Sequence, residues 1–98
     1  MGKTIALDYD GTFTADPELW LAFIEQAQKN GHRVICVTMR YEHELDDRIF
    51  NTRLKGLVEI FATGRKAKKP YMQKQDQTID IWIDDNPDFL YQDASPIS

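Results

Sequence analysis

Acidic side chains follow two apolar runs of this sequence, at the points where the runs end. Asp8 and Asp10 come after "TIAL", with a turn at Gly11, and Asp84 and Asp85 come after "IWI". Two carboxylates one residue apart repel each other, so a chain selected only for stability would avoid placing them at the end of a buried strand. We therefore expect a positive group to lie between Asp8 and Asp10.

Polar side chains also follow the two other apolar runs. "RVICVT" ends at Thr38, and "LVEIFATG" leads into a basic stretch at 65–69 that contains Lys68 and Lys69. If these runs are parallel strands, their carboxyl ends meet at one edge of the sheet, where open α/β sheets bind ligands. Clustered carboxylates need a cation, and a donor set made only of oxygens suits Mg²⁺. The residues alone therefore predict a Mg²⁺ site, formed by Asp8, Asp10, Asp84 and Asp85.

Each of these positions also has a simpler interpretation. Thr38 would do no more than close its strand, and Asp85 would serve only to cap a following helix. The basic stretch at 65–69 would be a solvated face, which is the commoner outcome for such a run. Only the convergence of all of them on one edge of a sheet favours a binding site.

The elements that position these residues alternate between strand and helix. The segment 15–31 has helix signals at both ends, with Asp16 as the N-cap, Pro17 at the first helical position and Gly31 at the end. Its apolar residues recur at helical spacing, which predicts a face that packs on a sheet. That face contains Leu19, Trp20, Phe23, Ile24 and Ala27.

Two further helices are predicted between the later strands. The segment 41–56 is expected to form an exposed amphipathic helix that Gly56 closes. Its apolar residues, four positions apart, are Tyr41, Leu45 and Ile49. The segment 65–75 predicts a short basic helix, and Pro70 confines that helix to positions near its first turn.

This alternation predicts an α/β fold. We expect a Rossmann-like three-layer sandwich with a mainly parallel sheet of about four strands and helices on both faces, joined by right-handed crossovers. The 98 residues are expected to form a single domain, 1–98, in which about 92–98 is a frayed tail.

Composition indicates an ordinary globular protein and does not name a partner. The formal net charge is −4 and 29% of the residues are charged, so nucleic acid is not favoured overall, although a local basic cluster would suffice to contact phosphate. No apolar run reaches the roughly 18 residues that span a bilayer, and no secretory signal pattern is present. We therefore expect a cytoplasmic location and no membrane contact. The single cysteine, Cys36, is expected to be a buried, inert thiol.

The pattern resembles the haloacid dehalogenase superfamily, whose phosphatases carry four short motifs on a sheet of this kind. The first motif, Asp-x-Asp-Gly-Thr after an apolar strand, is highly specific, and the resemblance covers nearly the whole chain. The four motifs are matched in order by DYDGT at 8–12, by Thr38, by Lys68 or Lys69, and by Asp84-Asp85.

This resemblance implies a Mg²⁺-dependent phosphomonoester hydrolase that works through an aspartyl-phosphate intermediate. Asp8 would be the nucleophile, and Asp10 would be the general acid and base. Lys68 or Lys69 would neutralise charge on the phosphoryl group in the transition state. The implied Mg²⁺ ligands are an oxygen of Asp8, the backbone carbonyl of Asp10, Asp84, and Asp85 directly or through water.

The second motif implies phosphate contacts. Thr38 and the backbone N–H of Met39 would donate hydrogen bonds to the phosphoryl oxygens. Arg40, two residues beyond Thr38, would reach a second phosphate or a nucleotide, although an exposed arginine at a helix start is the commoner outcome.

The family's usual lid domain has no room in this chain, so the resemblance implies a minimal, capless member with an open site. Such a site suits a nucleotide, a nucleic-acid end or a phosphoprotein as substrate. Two alternatives remain. The chain would be a phosphatase for small metabolites whose lid is supplied by an oligomeric partner, or a non-catalytic binding or regulatory protein in which phosphorylation of Asp8 acts as a switch.

Overall fold

Four strands of this chain form one parallel sheet. The computed structural model describes residues 2–46 and 53–95. The strands are β1 (Thr4–Leu7), β2 (Arg33–Thr38), β3 (Glu59–Ala62) and β4 (Ile81–Ile83). Their order across the sheet is β3-β2-β1-β4, and each neighbouring pair is parallel. The predicted α/β fold with a parallel sheet of four strands is therefore confirmed.

The chain order reverses at β1. The chain adds β2 and β3 on one side of β1 and then returns to place β4 on the other side. The backbone N–H of Asp8 donates to the carbonyl of Ile83 at 2.9 Å, which continues the pairing of β1 with β4 by one residue. Because all the strands are parallel, the residues that follow them meet at one edge of the sheet, at the reversal where ligand sites form.

The first long helix, α1 (Pro17–Lys29), has the boundaries that its capping signals predict. The side chain of Asp16 accepts a hydrogen bond from the N–H of Leu19, and Pro17 occupies the first helical position. Ile24 and Ala27 are buried, whereas Leu19 is 54% exposed. The predicted apolar face is therefore wrong at Leu19, because this residue lies in the first turn beside a groove that is open to solvent.

The basic helix predicted over 65–75 is present as α2 (Lys68–Lys74) and begins later than expected, because Arg65 has a φ of +70°, which no α-helix allows. Pro70 is its third residue, where a missing N–H breaks no intrahelical hydrogen bond. The predicted helix at 41–56 is wrong over its first residues, since Glu42–Asp46 is a 3₁₀ helix. The part of that prediction at 47–52, including Ile49, lies outside the described residues. Gly56 belongs to a turn before β3 and has a φ of +90°.

Apolar side chains pack on both faces of the sheet in two clusters. One cluster joins strand residues such as Leu7 and Cys36 to Ile24 of α1, and the other joins Ala6 and Val37 to Met72 of α2. Cys36 is fully buried, which confirms its expected environment. No helix in the described ranges is long and apolar enough to cross a membrane.

Candidate active site

The turn after β1 depends on Gly11, because any other residue at this position would be strained. Gly11, within the tight turn Tyr9–Phe13, has a φ of +84°, which L-residues rarely adopt. A Cβ added at this position would lie 2.3 Å from Oδ2 of Asp85. Gly11 therefore allows both the turn and the close approach of Asp85 to the end of β1.

Thr12 connects the acidic groups of two strand ends. Its hydroxyl donates to Oδ2 of Asp8 at 3.0 Å and accepts from the backbone N–H of Asp85 at 3.1 Å. The Asp8 carboxylate is thus fixed in orientation by a buried neighbour. No role was predicted for Thr12 itself, and the only sequence signal for it is its place in the segment 8–12.

Lys68 lies between two of the carboxylates. Its Nζ is 2.7 Å from Oδ1 of Asp8 and 2.5 Å from Oδ2 of Asp84. Its side chain is only 3% exposed, because the first turn of α2 points this residue into the same interior as Met72. Nζ of Lys69 instead lies 5.3 Å from the ring centroid of Tyr91. Of the two lysines that the sequence left open, Lys68 is therefore the one that the fold brings to Asp8.

Three carboxylates form a group that can hold a metal ion. Asp8, Asp84 and Asp85 each offer an oxygen, and these oxygens lie within 4.8 Å of one another. If all three are ionised, Lys68 balances one charge and two negative charges remain, which a divalent cation would neutralise. A hard donor set of this kind fits Mg²⁺. The carboxylate of Asp10 is not part of the group.

Burial dominates the electrostatics of Asp8. It raises the pKa of this carboxyl from 3.8 to about 7, although attraction to Lys68 acts in the opposite direction. Burial alone would lower the pKa of Lys68, but attraction to Asp8 and hydrogen bonds to both carboxylates raise it above 10.5. Lys68 therefore stays positively charged, whereas Asp8 takes up a proton far more readily than an exposed aspartate does.

The predicted phosphate contacts Thr38 and Met39 line a cleft of about 180 Å³, together with the three carboxylates. Thr38 is buried, and its hydroxyl oxygen accepts the backbone N–H of Arg40 at 3.3 Å. The residues around the cleft are Asp8, Asp10, Thr38, Met39, Lys68, Asp84, Asp85, Asn86, Phe89 and Ala94. The fold thus brings the predicted residues of all four strand ends to one cleft.

Arg40 does not line the cleft; instead it contacts Asp10. Its Nε and Nη2 donate to the two carboxylate oxygens of Asp10, at 2.9 and 2.8 Å. The contact of Arg40 with a second phosphate stays a prediction, because its guanidinium is here engaged by an acid of the same chain.

The C-terminal segment supplies part of the cleft that sequence reasoning missed. Phe89 and Ala94 line it, and the backbone N–H of Ala94 donates to the carbonyl of Arg65 at 2.9 Å. Oδ1 of Asp93 accepts the N–H of Ala67, just before α2, at 2.7 Å. Residues 93 and 94 are therefore held by hydrogen bonds, unlike the frayed tail expected over 92–98. Residues 96–98 lie outside the described residues. No local pattern signals these contacts, because they join distant parts of the chain.

Fold and site together define an α/β protein with a buried lysine and an acidic cluster at the carboxyl edge of its parallel sheet. Comparison of the chain with protein-family models, with curated proteins and with solved structures gives no match. The chemistry of the site is therefore the basis for a functional proposal.

Proposed function

We propose that this chain is a Mg²⁺-dependent phosphomonoester hydrolase, a minimal capless protein of the haloacid dehalogenase type. The observation that carries the proposal is the contact of the buried Lys68 ammonium with both Asp8 and Asp84. Burying three charged groups is costly, and apolar residues of similar size would serve stability as well or better. The cost is understandable if these groups stabilise charge in a reaction.

We also propose that the fold is a Rossmann-like sandwich of three layers. The two apolar clusters support it, since α1 contributes to one and α2 to the other. Adjacent strand residues such as Ala6 and Leu7 belong to different clusters, as expected for a sheet covered on both faces.

In this mechanism one oxygen of Asp8 attacks phosphorus while the bond from phosphorus to the leaving oxygen breaks. Asp10 gives its proton to that oxygen, so an alcohol leaves and Asp8 carries the phosphoryl group. Asp10 then takes a proton from water, whose oxygen attacks phosphorus and releases phosphate from Asp8. Thr12 and Lys68 hold the carboxylate of Asp8 in a fixed orientation throughout.

The remaining groups would bind the metal ion and the phosphoryl oxygens. Asp8, the carbonyl of Asp10, Asp84 and Asp85 would hold Mg²⁺, which when bound offsets the repulsion between a carboxylate and an anionic phosphate. Thr38 and the N–H of Met39 would donate to phosphoryl oxygens, together with Lys68.

The size of the cleft supports a substrate that is held mainly outside it. Its volume of about 180 Å³ is below the range of about 300–1,000 Å³ that is usual for sites enclosing a whole small ligand. Within the described ranges, only a turn separates Thr12 from α1, so no lid covers the cleft there. We therefore propose a nucleotide, a nucleic-acid end or a phosphoprotein, of which only the phosphoryl end enters.

Hydrolysis of 4-nitrophenyl phosphate with Mg²⁺ and with EDTA tests this proposal. Turnover should require Mg²⁺ and be abolished by Asp8→Asn, while Asp88→Asn, a control at an exposed aspartate, keeps it. Unchanged turnover of the Asp8→Asn variant would refute the assignment of the nucleophile. A long-lived, acid-labile phosphate on Asp8, seen by intact mass without turnover, would instead favour the regulatory alternative.

A further inference from the structure

Asp10, an exposed acid of the site, is held by an arginine from the neighbouring strand end. Arg40 lies in the loop after β2, and its guanidinium makes two parallel hydrogen bonds to Asp10, with distances of 2.9 and 2.8 Å. The side chain of Asp10 is 55% exposed, whereas that of Arg40 is 22% exposed. A bidentate contact fixes both the position and the plane of a carboxylate, which a single hydrogen bond does not.

The guanidinium that holds Asp10 is itself held. Nη1 of Arg40 donates to the carbonyl of Glu44 at 3.1 Å, and Cζ lies 5.0 Å from the ring centroid of Tyr9, a fully buried residue. The backbone carbonyl of Arg40 accepts the N–H of Gly64 at 3.1 Å. All three nitrogens of the guanidinium are therefore engaged, and its central carbon lies over an aromatic ring.

Arg40 makes more contacts than an ion pair at the surface requires for stability. Exposed ion pairs contribute about 0–1 kcal/mol, so stability gives little reason to anchor one partner at several points. We propose that Arg40 is a positioning residue, which holds the carboxylate of Asp10 where it exchanges protons with the leaving oxygen and with water. This inference rests on the proposed function and assigns Arg40 to the acid and not to the substrate.

The contact leaves Asp10 able to transfer protons. An ionised carboxylate has about four lone-pair sites, and the two hydrogen bonds from Arg40 occupy one on each oxygen. Displacement of a catalytic group by about 1 Å can cost about 100-fold in rate. The loss should be greatest where the leaving group needs a proton, as an alkyl alcohol does, and small where it leaves readily as an anion, as 4-nitrophenolate does.

The experiment compares kcat and KM of the wild type, Arg40→Met and Arg40→Lys on 4-nitrophenyl phosphate and 2-phenylethyl phosphate. We expect Arg40→Met to lower kcat for the alkyl ester by about 100-fold, to affect the aryl ester much less, and to leave KM unchanged for both. Lysine should not restore the rate, because it lacks the planar fork. Arg33→Met, at an exposed arginine paired with Glu59, is the control and should behave as wild type.

A double-mutant cycle guards against a merely structural effect. If Arg40 acts through Asp10, Arg40→Met should have no further effect on kcat once Asp10→Asn is present. A higher KM for both esters would mean that Arg40 binds the phosphate, and a higher kcat would mean that it restrains Asp10 from reacting. Either result, an equal loss on both esters, or independent effects in the cycle overturns the inference while the proposed function stands. A wild type inactive on both esters would refute the proposed function itself, and the inference with it.

Discussion

Burial of Asp8 makes the stability of the metal-free protein depend on pH. The substitution Asp8→Asn removes this dependence and so allows it to be measured. The pKa of this carboxyl is about 7 in the folded protein, against an ordinary value of 3.8. Between these values the folded state holds a proton that unfolding releases, so the free energy of unfolding falls as the pH rises. Asp8→Asn keeps the shape of the side chain and one acceptor oxygen, which can face Lys68, and it places an amide N–H₂ beside the Thr12 hydroxyl, but it cannot titrate.

The size of the effect follows from the titration. Release of one proton on unfolding changes the free energy of unfolding by about 1.4 kcal/mol for each pH unit. Between pH 5 and pH 7 the unfolded carboxyl is ionised and the folded one is largely protonated, so wild type should lose about 2 kcal/mol relative to Asp8→Asn. Lys68, whose pKa is raised, keeps its charge throughout this range and does not contribute to the difference.

Urea unfolding in EDTA at several pH values, followed by tryptophan fluorescence, measures this difference. The other titrating groups are common to both proteins and largely cancel. Addition of Mg²⁺ at pH 8 should then stabilise wild type more than the variant, because Asp8 is one of the three carboxylates of the proposed metal site. A difference that is constant with pH, or that grows in favour of wild type, would refute the reasoning about burial.

Two substitution pairs test the lysine and the glycine of the site. Lys68→Met removes a buried ammonium and should cost about 3 kcal/mol of stability at pH 8, whereas Lys69→Met should cost less than about 1 kcal/mol in the same urea titration. Gly11→Ala would press on Asp85, whereas Gly56→Ala has a similar φ of +90° and an open surrounding. Both alanine variants should lose about 1 kcal/mol because of the positive φ, and Gly11→Ala should lose more because its Cβ meets Asp85. Only Gly11→Ala should weaken Mg²⁺ binding in calorimetric titration.

Two results would contradict these predictions. Equal losses for the two lysine variants would show that burial of the ammonium does not matter. Equal Mg²⁺ affinity for the two glycine variants would show that Asp85 is not part of the proposed metal site.

The sequence predicted the elements whose signals are local and strong. The strand at 33–38 is a nearly continuous apolar run, and α1 has an acidic cap and a proline at its start. The α-helix predicted at 41–46 is wrong, although the apolar spacing favours it. Oε1 of Glu44 accepts the N–H of Tyr41 at 2.7 Å, and the segment Glu42–Asp46 forms a 3₁₀ helix. Such side-chain bonds to the backbone compete with regular helix, and apolar spacing does not reveal them.

Within the site, the sequence predicted which residue types converge but not which atoms meet. The choice between Lys68 and Lys69 depends on how α2 is rotated, since adjacent helical residues point about 100° apart and packing of Met72 sets the rotation. The contact of Arg40 with Asp10 joins residues 30 positions apart and needs the strand order as well. Tertiary packing, and not local pattern, decides both.

A crystal structure with Mg²⁺ and beryllium fluoride, whose trifluoride mimics a phosphoryl group on a carboxylate, tests the central claim most directly. We expect beryllium bonded to an oxygen of Asp8, Mg²⁺ bound by oxygens of Asp8 and Asp84, and the ammonium of Lys68 in contact with a fluoride. Beryllium on another residue, or neither ion at Asp8 while Lys68 alone bridges the two acids, would contradict it.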